Sequence, residues 1–486
     1  MSTDFSRELG LYLEARYPLI FVLTQEEERA LEAVSQAAES AGREVLRPRS
    51  AGETVPLAEV LAAPGAADAV LVLDDVHRRL EDPASVRLLA DLASPEEGRT
   101  AVVIAPWVDV PLDIERAAAV VELPLPTPKD LRAVLDGVCA DVGVLLTDDD
   151  AQHLVRVAQG LTRDEAERAL RRAMIGWPED ADGARASVEA EKRKALRRSR
   201  VLEHVDTPES LGDVGGLDQL KQWLEARRDA FSDRAREYGL PAPRGLLLMG
   251  VQGCGKSLTS KAVAGYWRLP LTRLDLSAVF GQPRPEEALR GALRIAEAMA
   301  PVVLWIDEIE KGFDQGGEGP AARLLGGMVT WLQEKQDEVF VVATANQVAH
   351  LPPELPRKGR FDEIFFVDLP NIHERQEIFE LHLRRRGLDP GTFDVAGLAK
   401  KSEKLTGSEI EQLIIAAMYG AFGRGDKPTD RDLSHALGET VSLYETFEPE
   451  IKALREWARK RARPASTDRR KIDLFDTGKK GGAGKR

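Results

Sequence analysis

The chain has 486 residues, of which 43% are hydrophobic and 30% are charged, so it can form about two to four domains with buried cores. This composition excludes a largely disordered protein, and no apolar run approaches the roughly 18 residues that span a bilayer. The net charge of −14 argues against a general nucleic-acid coat. Cys139 and Cys254 lie far apart, which fits neither a disulfide framework nor a zinc site and favours a reducing cytoplasm.

A change in composition divides the chain near residue 178. The segment Trp177–Gly183 is rich in turn residues, and the strongly charged stretch Val188–Val201 follows it with a helical pattern. We interpret this stretch as a solvated linker helix. The expected organisation is an N-terminal domain at 1–178, a charged linker at 179–205, an α/β core at 206–370, a helical lid at 371–445, a C-terminal helix at 446–464 and a disordered basic tail at 465–486.

The C-terminal end is basic although the chain as a whole is acidic. Residues 452–486 carry thirteen Lys or Arg and four Asp or Glu. Such a run is typical of a solubilising tail and less often of a binding arm. Together with the basic cluster at 188–201, it is the sequence support for a nucleic-acid motor or loader, which we keep as an alternative.

The region after residue 206 alternates apolar strands with amphipathic helices. Near-continuous apolar strands separated by helices indicate a parallel sheet that is covered on both faces. Beyond about residue 370 the strands stop, which predicts a small helical lid. The predicted strands are Gly245–Met249, Leu271–Asp275, Val302–Ile306, Val339–Ala343 and Ile364–Val367, and the predicted helices are 256–267, 286–299, 373–384, 407–422 and 430–443.

The segment Gly250–Ser257 matches the phosphate-binding pattern G-x4-G-K-S (Walker A, or P-loop) between a predicted strand and a predicted helix. Glycines let backbone amides turn toward phosphate oxygens, and the positive end of the next helix faces the same anion. Lys256 is expected to contact the β- and γ-phosphates of ATP, and Ser257 to bind Mg²⁺. The predicted nucleotide-binding residues of this loop are Gln252, Gly253, Cys254, Gly255, Lys256, Ser257 and Leu258.

Candidate catalytic residues follow two of the later strands. Asp307 and Glu308 end an apolar strand, so we expect Asp307 beside Mg²⁺ and Glu308 as the general base for the attacking water. Asn346 ends the next strand and is predicted to orient that water. Arg357 and Arg360 lie in a basic loop, and either could act as an arginine finger supplied by a neighbouring subunit.

These motifs, in their order and spacing, resemble the AAA module of the AAA+ ATPase superfamily over about residues 206–445. The resemblance implies a P-loop parallel sheet with a helical lid, Mg²⁺-dependent ATP hydrolysis, and a homo-oligomeric ring, usually a hexamer, with sites at subunit boundaries. It assigns Asp213 and Gly215 to the adenine side and Gly407 to a lid contact. The matching segments are Asp213–Leu217, Gly250–Ser257, Val302–Glu308, Thr344–Asn346, Arg357–Asp362 and Thr406–Ile410.

A closer resemblance covers nearly the whole chain. The segments Glu14–Val22, Thr24–Arg29, Gly250–Thr259 and Trp305–Lys311 are similar to the plastid and bacterial AAA proteins called hypothetical chloroplast open reading frame forty-six. This likeness identifies a family without naming a client. The implied function is ATP hydrolysis coupled to remodelling or regulation of a protein partner, with an ATP-dependent switch or scaffold as the alternative.

The segment Ser277–Glu287 departs from AAA rings that thread polypeptides. Those rings carry an aromatic-apolar-glycine loop after the second strand, whereas this segment is short and rich in proline. Phe280 and Gly281 could form a residual grip on a polypeptide. Both threading and a switch without threading therefore remain open from the sequence.

The N-terminal domain repeats the element order of the second half, which argues for duplicated architecture. Its position for a phosphate loop is occupied by Thr24–Glu28, where Thr24 and Glu27 form a helix-capping pattern and carboxylates replace phosphate-binding glycines. We therefore predict a degenerate AAA-like domain that binds no nucleotide. The paired segments are 19–23 with 246–250, 71–75 with 304–308, 101–105 with 340–344, 125–132 with 369–376, and 161–167 with 405–411.

Cys254 lies inside the phosphate loop, where a helix N-terminus and a lysine can lower a thiol pKa. Oxidation of such a thiol could block ATP binding. We favour a small space-filling residue at this position and keep redox sensitivity as the alternative.

Overall fold

The computed structural model describes residues 3–47, 68–74, 76–92, 99–198, 200–206, 210–312, 320–348, 351, 355, 357 and 359–467. Two compact units divide the chain, residues 1–195 and residues 196–486. None of the helices in these described ranges combines the length and the apolar composition needed to cross a membrane.

The first unit has a five-stranded parallel sheet in the order β2-β3-β4-β1-β5. Alternate residues of β1 enter different cores, with Ile20 and Val22 on one face and Leu19 and Phe21 on the other. A parallel sheet that is apolar on both faces needs helices on both sides. The strands are β1 (Leu19–Leu23), β2 (Val45–Leu46), β3 (Val70–Asp74), β4 (Thr100–Ala105) and β5 (Ala118–Glu122).

Helices of the first unit cover this sheet and then continue as a helical bundle with its own core. Thr127, Thr147 and Thr162 cap three successive helices of that bundle, because each threonine hydroxyl accepts a backbone N–H of the first turn. Within the described part of this unit, the helices are Thr3–Glu14, Glu27–Ser40, Pro83–Leu92, Leu112–Glu115, Pro128–Val142, Asp148–Ala158, Arg163–Gly176 and Ala181–Arg198.

The helix Ala181–Arg198 occupies most of the segment predicted as a linker, and it packs on the first unit. Ala184 and Val188 are buried in the bundle core, and the Lys192 ammonium donates to the Val157 carbonyl at 3.0 Å. Burial lowers the pKa of Lys192 to about 8. The interpretation of this segment as a solvated helix is therefore wrong for Lys192, since a few buried positions are hidden among many charged ones.

The second unit has a seven-stranded sheet in the order β12-β11-β7-β10-β9-β8-β6, and its five inner strands are those predicted from the sequence. The antiparallel edge strand β6 and the two-residue strand β12 were not predicted. Leu246 and Leu248 of β7 pack on one face, and Leu247 and Met249 pack on the other. The strands are β6 (Leu202–Val205), β7 (Gly245–Gly250), β8 (Leu271–Leu274), β9 (Val302–Ile306), β10 (Val339–Ala345), β11 (Glu363–Val367) and β12 (Arg463–Pro464).

A helical lid follows β11, as the sequence predicted, and has a separate core around Phe379 and Leu413. The chain then returns to the sheet through a C-terminal helix and β12, which pairs with β11. The helices of this unit are Asp218–Glu225, Asp233–Glu237, Lys256–Trp267, Leu276–Phe280, Pro285–Ala298, Pro320–Glu334, Ile372–Arg385, Val395–Lys401, Gly407–Phe422, Asp430–Glu439, Leu443–Thr446 and Glu448–Arg461.

The predicted disordered tail begins at 465, but Ala465 is fully buried and Thr467 donates its backbone N–H to Asp218 at 2.8 Å. Residues 468–486 lie outside the described part of the chain. The parallel sheet with a helical lid that the sequence predicted is confirmed, and the first unit, which precedes it, contains a parallel sheet with the same order of its core strands.

Candidate functional site

A cavity of about 420 Å³ opens where β7, β9 and β10 of the second sheet end. The carboxyl ends of parallel strands form a common edge, so side chains that follow different strands meet there. The predicted site residues that line this cavity are Asp213, Gly215, Gln252, Gly253, Cys254, Gly255, Lys256, Ser257, Leu258, Asp307, Glu308, Asn346 and Gly407.

The loop between β7 and the helix Lys256–Trp267 needs its glycines. Gly250, Gly253 and Gly255 have positive φ angles of 156°, 76° and 88°. A side chain at Gly250 would also collide with the Val367 carbonyl oxygen. Left-handed backbone of this kind turns successive amides toward one point, which is the geometry that binds phosphate.

Lys256 is the first residue of the following helix and is only 6% exposed. Its ammonium donates to the carbonyl oxygens of Gly250 and Val251, both at 2.8 Å. Burial lowers the pKa of Lys256 to about 8. These two carbonyls hold the ammonium beside the loop, where it could exchange them for phosphate oxygens.

Hard oxygen ligands meet at the end of β9. Ser257 Oγ lies 3.2 Å from Asp307 Oδ1, and the Thr344 hydroxyl donates to that same oxygen at 2.6 Å. A hydroxyl and a carboxylate fit Mg²⁺, which is usually held by one or two carboxylates together with substrate phosphates. Across the described ranges, no group of three or more His, Cys, Asp or Glu residues is placed to hold a metal without help from phosphate.

Glu308 occupies a strained backbone position beside these ligands, with a φ of 49°. Its N–H donates to the Thr344 hydroxyl at 2.9 Å, and its carboxylate accepts from Asn346 Nδ2 at 2.9 Å. Lys311 forms an ion pair with the same carboxylate. The predicted base and the predicted water-orienting amide are therefore in direct contact at the cavity wall.

Another wall is built from the loop before the helix Asp218–Glu225 and from the lid. Arg385 pairs with Asp213 at 2.9 Å and lowers the pKa of Asp213 to about 2. A side chain at Gly215 would lie 2.7 Å from Ile378 Cγ1, so the loop backbone packs closely on the lid helix. Gly407 begins the third lid helix, and its neighbour Ser408 donates its N–H to the Gly253 carbonyl at 3.0 Å.

Cys254 lines the cavity, but burial raises the pKa of its thiol to about 12. A thiol with a raised pKa is a poor nucleophile at neutral pH. This placement favours the space-filling interpretation of Cys254 over redox sensitivity.

Arg357 and Arg360 lie outside the cavity lining, with Arg357 exposed and Arg360 partly buried. Conversely, the cavity is lined or supported by residues that the sequence did not single out. One of them, Thr344, belongs to the Thr344–Asn346 motif, whereas no sequence motif pointed to the other four. These additional residues are Glu310, Thr344, Asp368, Glu374 and Arg385.

Glu310 illustrates a residue that only the fold reveals. It is 6% exposed, and its carboxyl accepts the Asn346 N–H at 2.8 Å. Burial raises the pKa of Glu310. The contact fixes the backbone at the tip of β10, and so supports the Asn346 amide against Glu308.

Comparisons with protein families agree with the division of the chain into two units near residue 195. Residues 246–369 match the profile of the ATPase family associated with various cellular activities (AAA). Residues 5–123 match the N-terminal domain of SpoVK-like AAA ATPases, and residues 129–199 match the second domain of those proteins. The helix Ala181–Arg198 thus falls within the second of these domains.

Relatives match over nearly the full length. The chain is 35% identical to the uncharacterized AAA domain-containing protein ycf46 of Guillardia theta, covering 94% of this chain and 95% of that protein. It is 34% identical to ycf46 of Pyropia yezoensis, covering 95% and 99%. The proteasome-activating nucleotidase of Aeropyrum pernix is 33% identical over 45% of this chain and 57% of its own length. The chain therefore belongs to the ycf46 family of AAA domain-containing proteins.

Proposed function

We propose that this protein hydrolyses Mg²⁺-ATP and uses the reaction to remodel or regulate a protein partner. The observation that carries the proposal is the convergence on one cavity of Lys256, the Ser257–Asp307 pair and the Glu308–Asn346 pair. Lys256 and the loop amides would hold the phosphates, and Ser257 and Asp307 would hold Mg²⁺, which stabilises the charge that develops on the transferred phosphoryl group.

In this mechanism Glu308 accepts the proton of the attacking water, and Asn346 keeps the Glu308 carboxylate in place. The Asn346 amide donates to Oε1 of Glu308 and Lys311 pairs with Oε2, so each oxygen keeps a second lone pair that can receive a proton. The Thr344 hydroxyl accepts the Glu308 N–H and so holds the backbone from which this carboxylate projects.

The proposed assembly is a homo-oligomeric ring, with six subunits as the expected number and the cytoplasm as the expected location. Arg357 and Arg360 lie outside the cavity of their own chain, which fits a role as a finger toward a neighbouring subunit. Sedimentation velocity of the purified chain with and without ATP measures ring formation directly.

A second candidate function is an ATP-dependent switch that threads no polypeptide, and one observation favours it. Phe280 ends the short helix Leu276–Phe280 and packs against the core of the sheet. An aromatic side chain held in this way offers little surface with which to grip a polypeptide. Phe280→Ala should therefore leave partner regulation intact in a switch, and abolish client processing in a threading ring.

The decisive experiment is Glu308→Gln. Glutamine keeps the size of the side chain but cannot accept the proton, so turnover should fall by about 10²–10⁴-fold while ATP binding is retained. Hydrolysis is measured by phosphate release and binding by isothermal titration calorimetry.

Glu334→Gln is the matched control, because Glu334 is an exposed glutamate of the same unit outside the cavity lining. It should hydrolyse ATP like the wild type. Wild-type turnover by Glu308→Gln would contradict the base assignment. If the assignment holds, the same variant held in ATP is also the reagent with which to capture the partner protein.

A further inference from the structure

Glu374 is a buried acidic residue that the proposed chemistry does not use. It lies in the first turn of the first lid helix, Ile372–Arg385, and its side chain is 7% exposed. It lines the nucleotide cavity and also a second cavity of about 870 Å³, where Ser466 and Thr467 are its neighbours. A buried carboxylate is stable only when its oxygens are hydrogen-bonded, so its partners show what it connects.

Three separate segments donate to the Glu374 carboxylate. Oε2 accepts the N–H of Asn371, the N-cap of its own helix, at 2.8 Å. Oε1 accepts the N–H of Leu217 at 3.2 Å and the hydroxyl of Ser466. Glu374 therefore joins the lid, the loop on the adenine side of the cavity and the C-terminal segment Arg463–Thr467.

The C-terminal segment makes further contacts with the chain that follows the adenine-side loop. The Ala465 carbonyl accepts the N–H groups of Gln219 and Leu220 at 3.0 and 3.1 Å, and the Ala465 N–H donates to Phe366 at 2.9 Å. Thr467 donates its N–H to Asp218 at 2.8 Å. These bonds cover the first turn of the helix Asp218–Glu225, which begins directly after Leu217.

A second carboxylate of the cavity wall, that of Asp368, is also hydrogen-bonded to a residue near the C-terminal segment. Asp368 lines both cavities, and Arg455 of the C-terminal helix donates through Nε to its two oxygens, each at 2.9 Å. The nucleotide cavity thus has two walls, at Glu374 and at Asp368, that are fixed by residues beyond position 450.

We propose that Glu374 is a positioning residue through which the C-terminal segment Arg463–Thr467 sets the nucleotide affinity of the site. This inference rests on the proposed function, because it assumes that ATP occupies the cavity. Glu374 accepts a hydrogen bond from Leu217, in the loop that would contact the adenine of ATP. It forms no hydrogen bond with Lys256, Glu308 or Asn346. Its loss should therefore weaken nucleotide binding and leave the chemical step intact.

Coupling of this kind is reciprocal. If the C-terminal segment raises the affinity for nucleotide, nucleotide must stabilise the contacts of the C-terminal segment by the same factor. Bound ATP would hold Leu217 and the lid together, and the Ser466 hydroxyl would keep its acceptor. Anything that pulls the segment Arg463–Thr467 off the sheet would release nucleotide.

The first test compares nucleotide affinities of full-length variants. Glu374→Ala should raise the dissociation constants of ATP and ADP by about tenfold, because Leu217 N–H and the Ser466 hydroxyl lose a buried acceptor. Ser466→Ala should give a smaller increase in the same direction, and Glu374→Gln should restore part of the affinity, since its carbonyl oxygen still accepts. The kcat at saturating ATP should stay within about twofold of wild type in all three.

Glu380→Ala is the matched control, because Glu380 lies on the same helix and pairs with Arg384 at the surface. It should leave the affinity unchanged. Three outcomes would overturn the proposal. In the first, Glu374→Ala lowers kcat and leaves nucleotide affinity unchanged. In the others, neither Glu374→Ala nor Ser466→Ala changes the affinity, or Glu380→Ala loses as much affinity as Glu374→Ala.

The second test uses the wild-type protein and so does not depend on the folding of a variant. Saturating ADP should slow hydrogen exchange at the Ala465 and Thr467 amides, and unchanged exchange would overturn the coupling. The two proposals fail differently. If the wild type binds no nucleotide, both are overturned, whereas normal ATP hydrolysis with unchanged exchange overturns the role of the C-terminal segment alone.

Discussion

Residues 24–26 connect β1 to the next helix in the first unit, whereas residues 251–255 make the same connection in the second. The surrounding sheets are alike, since β5-β1-β4-β3-β2 and β11-β7-β10-β9-β8 have the same order and the same parallel pairing. The longer loop contains glycines with left-handed backbone, and the shorter loop contains none. The two units therefore differ at the position where phosphate would bind.

Both loops are also joined to the third helix of the following helical bundle, but by different chemistry. In the second unit the Gly253 carbonyl accepts the Ser408 N–H at 3.0 Å. In the first unit the Glu26 carboxylate accepts the Arg163 N–H at 2.6 Å and forms a buried ion pair with Arg29. Arg29 in turn donates to the Pro124 carbonyl.

The comparison shows how one architecture can carry two loops of opposite electrostatic character. The second unit leaves the amides of its loop and the Lys256 ammonium able to receive an anion. The first unit has an anion of its own, because Glu26 is 8% exposed and is already bonded to Arg29 and Arg163. A phosphate brought to that position would meet a carboxylate, which fits the prediction that the first unit binds no nucleotide.

The largest expected effect is that of Lys256→Ala. Removing the ammonium, which would contact two phosphates, should weaken ATP binding by about a hundredfold, because each hydrogen bond to a charged group contributes about 1.5–3 kcal/mol. Binding of a fluorescent ATP analogue measures the loss. Lys400→Ala, at an exposed lysine of the lid outside the cavity, should bind ATP normally. Tight binding retained by Lys256→Ala would contradict the assignment of Lys256 to the phosphates. If a further substitution, Asp307→Ala, also left it unchanged, the comparison between the two units would fail.

The next effect concerns stability in the first unit. Glu26→Ala leaves the Arg29 guanidinium buried without its partner and should destabilise this unit by about 3–5 kcal/mol. Urea unfolding of the full-length chain, followed by circular dichroism, should show an earlier first transition. ATP hydrolysis, assayed without denaturant, should not change.

A double substitution sharpens this prediction. Glu26→Leu combined with Arg29→Leu removes both charges, and replacement of a buried pair by apolar residues is often neutral or stabilising. The double variant should be clearly more stable than Glu26→Ala. Equal instability of the two variants would show that the contacts to Pro124 and Arg163, and not the unpaired charge, dominate.

The smallest effect concerns the thiol of Cys254, in the phosphate loop of the second unit. Because burial raises the pKa of Cys254 to about 12, iodoacetamide at pH 8 should leave ATP hydrolysis within about twofold of the untreated protein. Cys254→Ala should behave in the same way. If iodoacetamide rapidly inactivated the wild type but not Cys254→Ala, the redox interpretation of this position would be restored.

Much of the second unit could be predicted because its signals are local. Apolar strands with polar residues at their carboxyl ends predict both the sheet and the meeting of Lys256, Asp307, Glu308 and Asn346 at one edge. The repeat in the first unit was visible for the same reason, since each β-strand keeps its own run of apolar residues.

The boundary near residue 195 was harder to predict. The helix Ala181–Arg198 is mostly charged, and few of its positions are buried, so its periodicity resembles that of a free linker. Burial of Ala184, Val188 and Lys192 depends on helices earlier in the chain. The composition of the segment itself cannot predict that packing.

By itself, the sequence determined the two sheets, the phosphate loop and the loss of that loop in the first unit, because each depends on neighbouring residues. Only the tertiary structure decided which distant groups share a hydrogen bond. Glu26 meets Arg163 across 137 positions, and Glu374 meets Ser466 across 92. Such contacts arise when packing brings buried polar groups together and each must find a partner, so the sequence around either residue cannot reveal them.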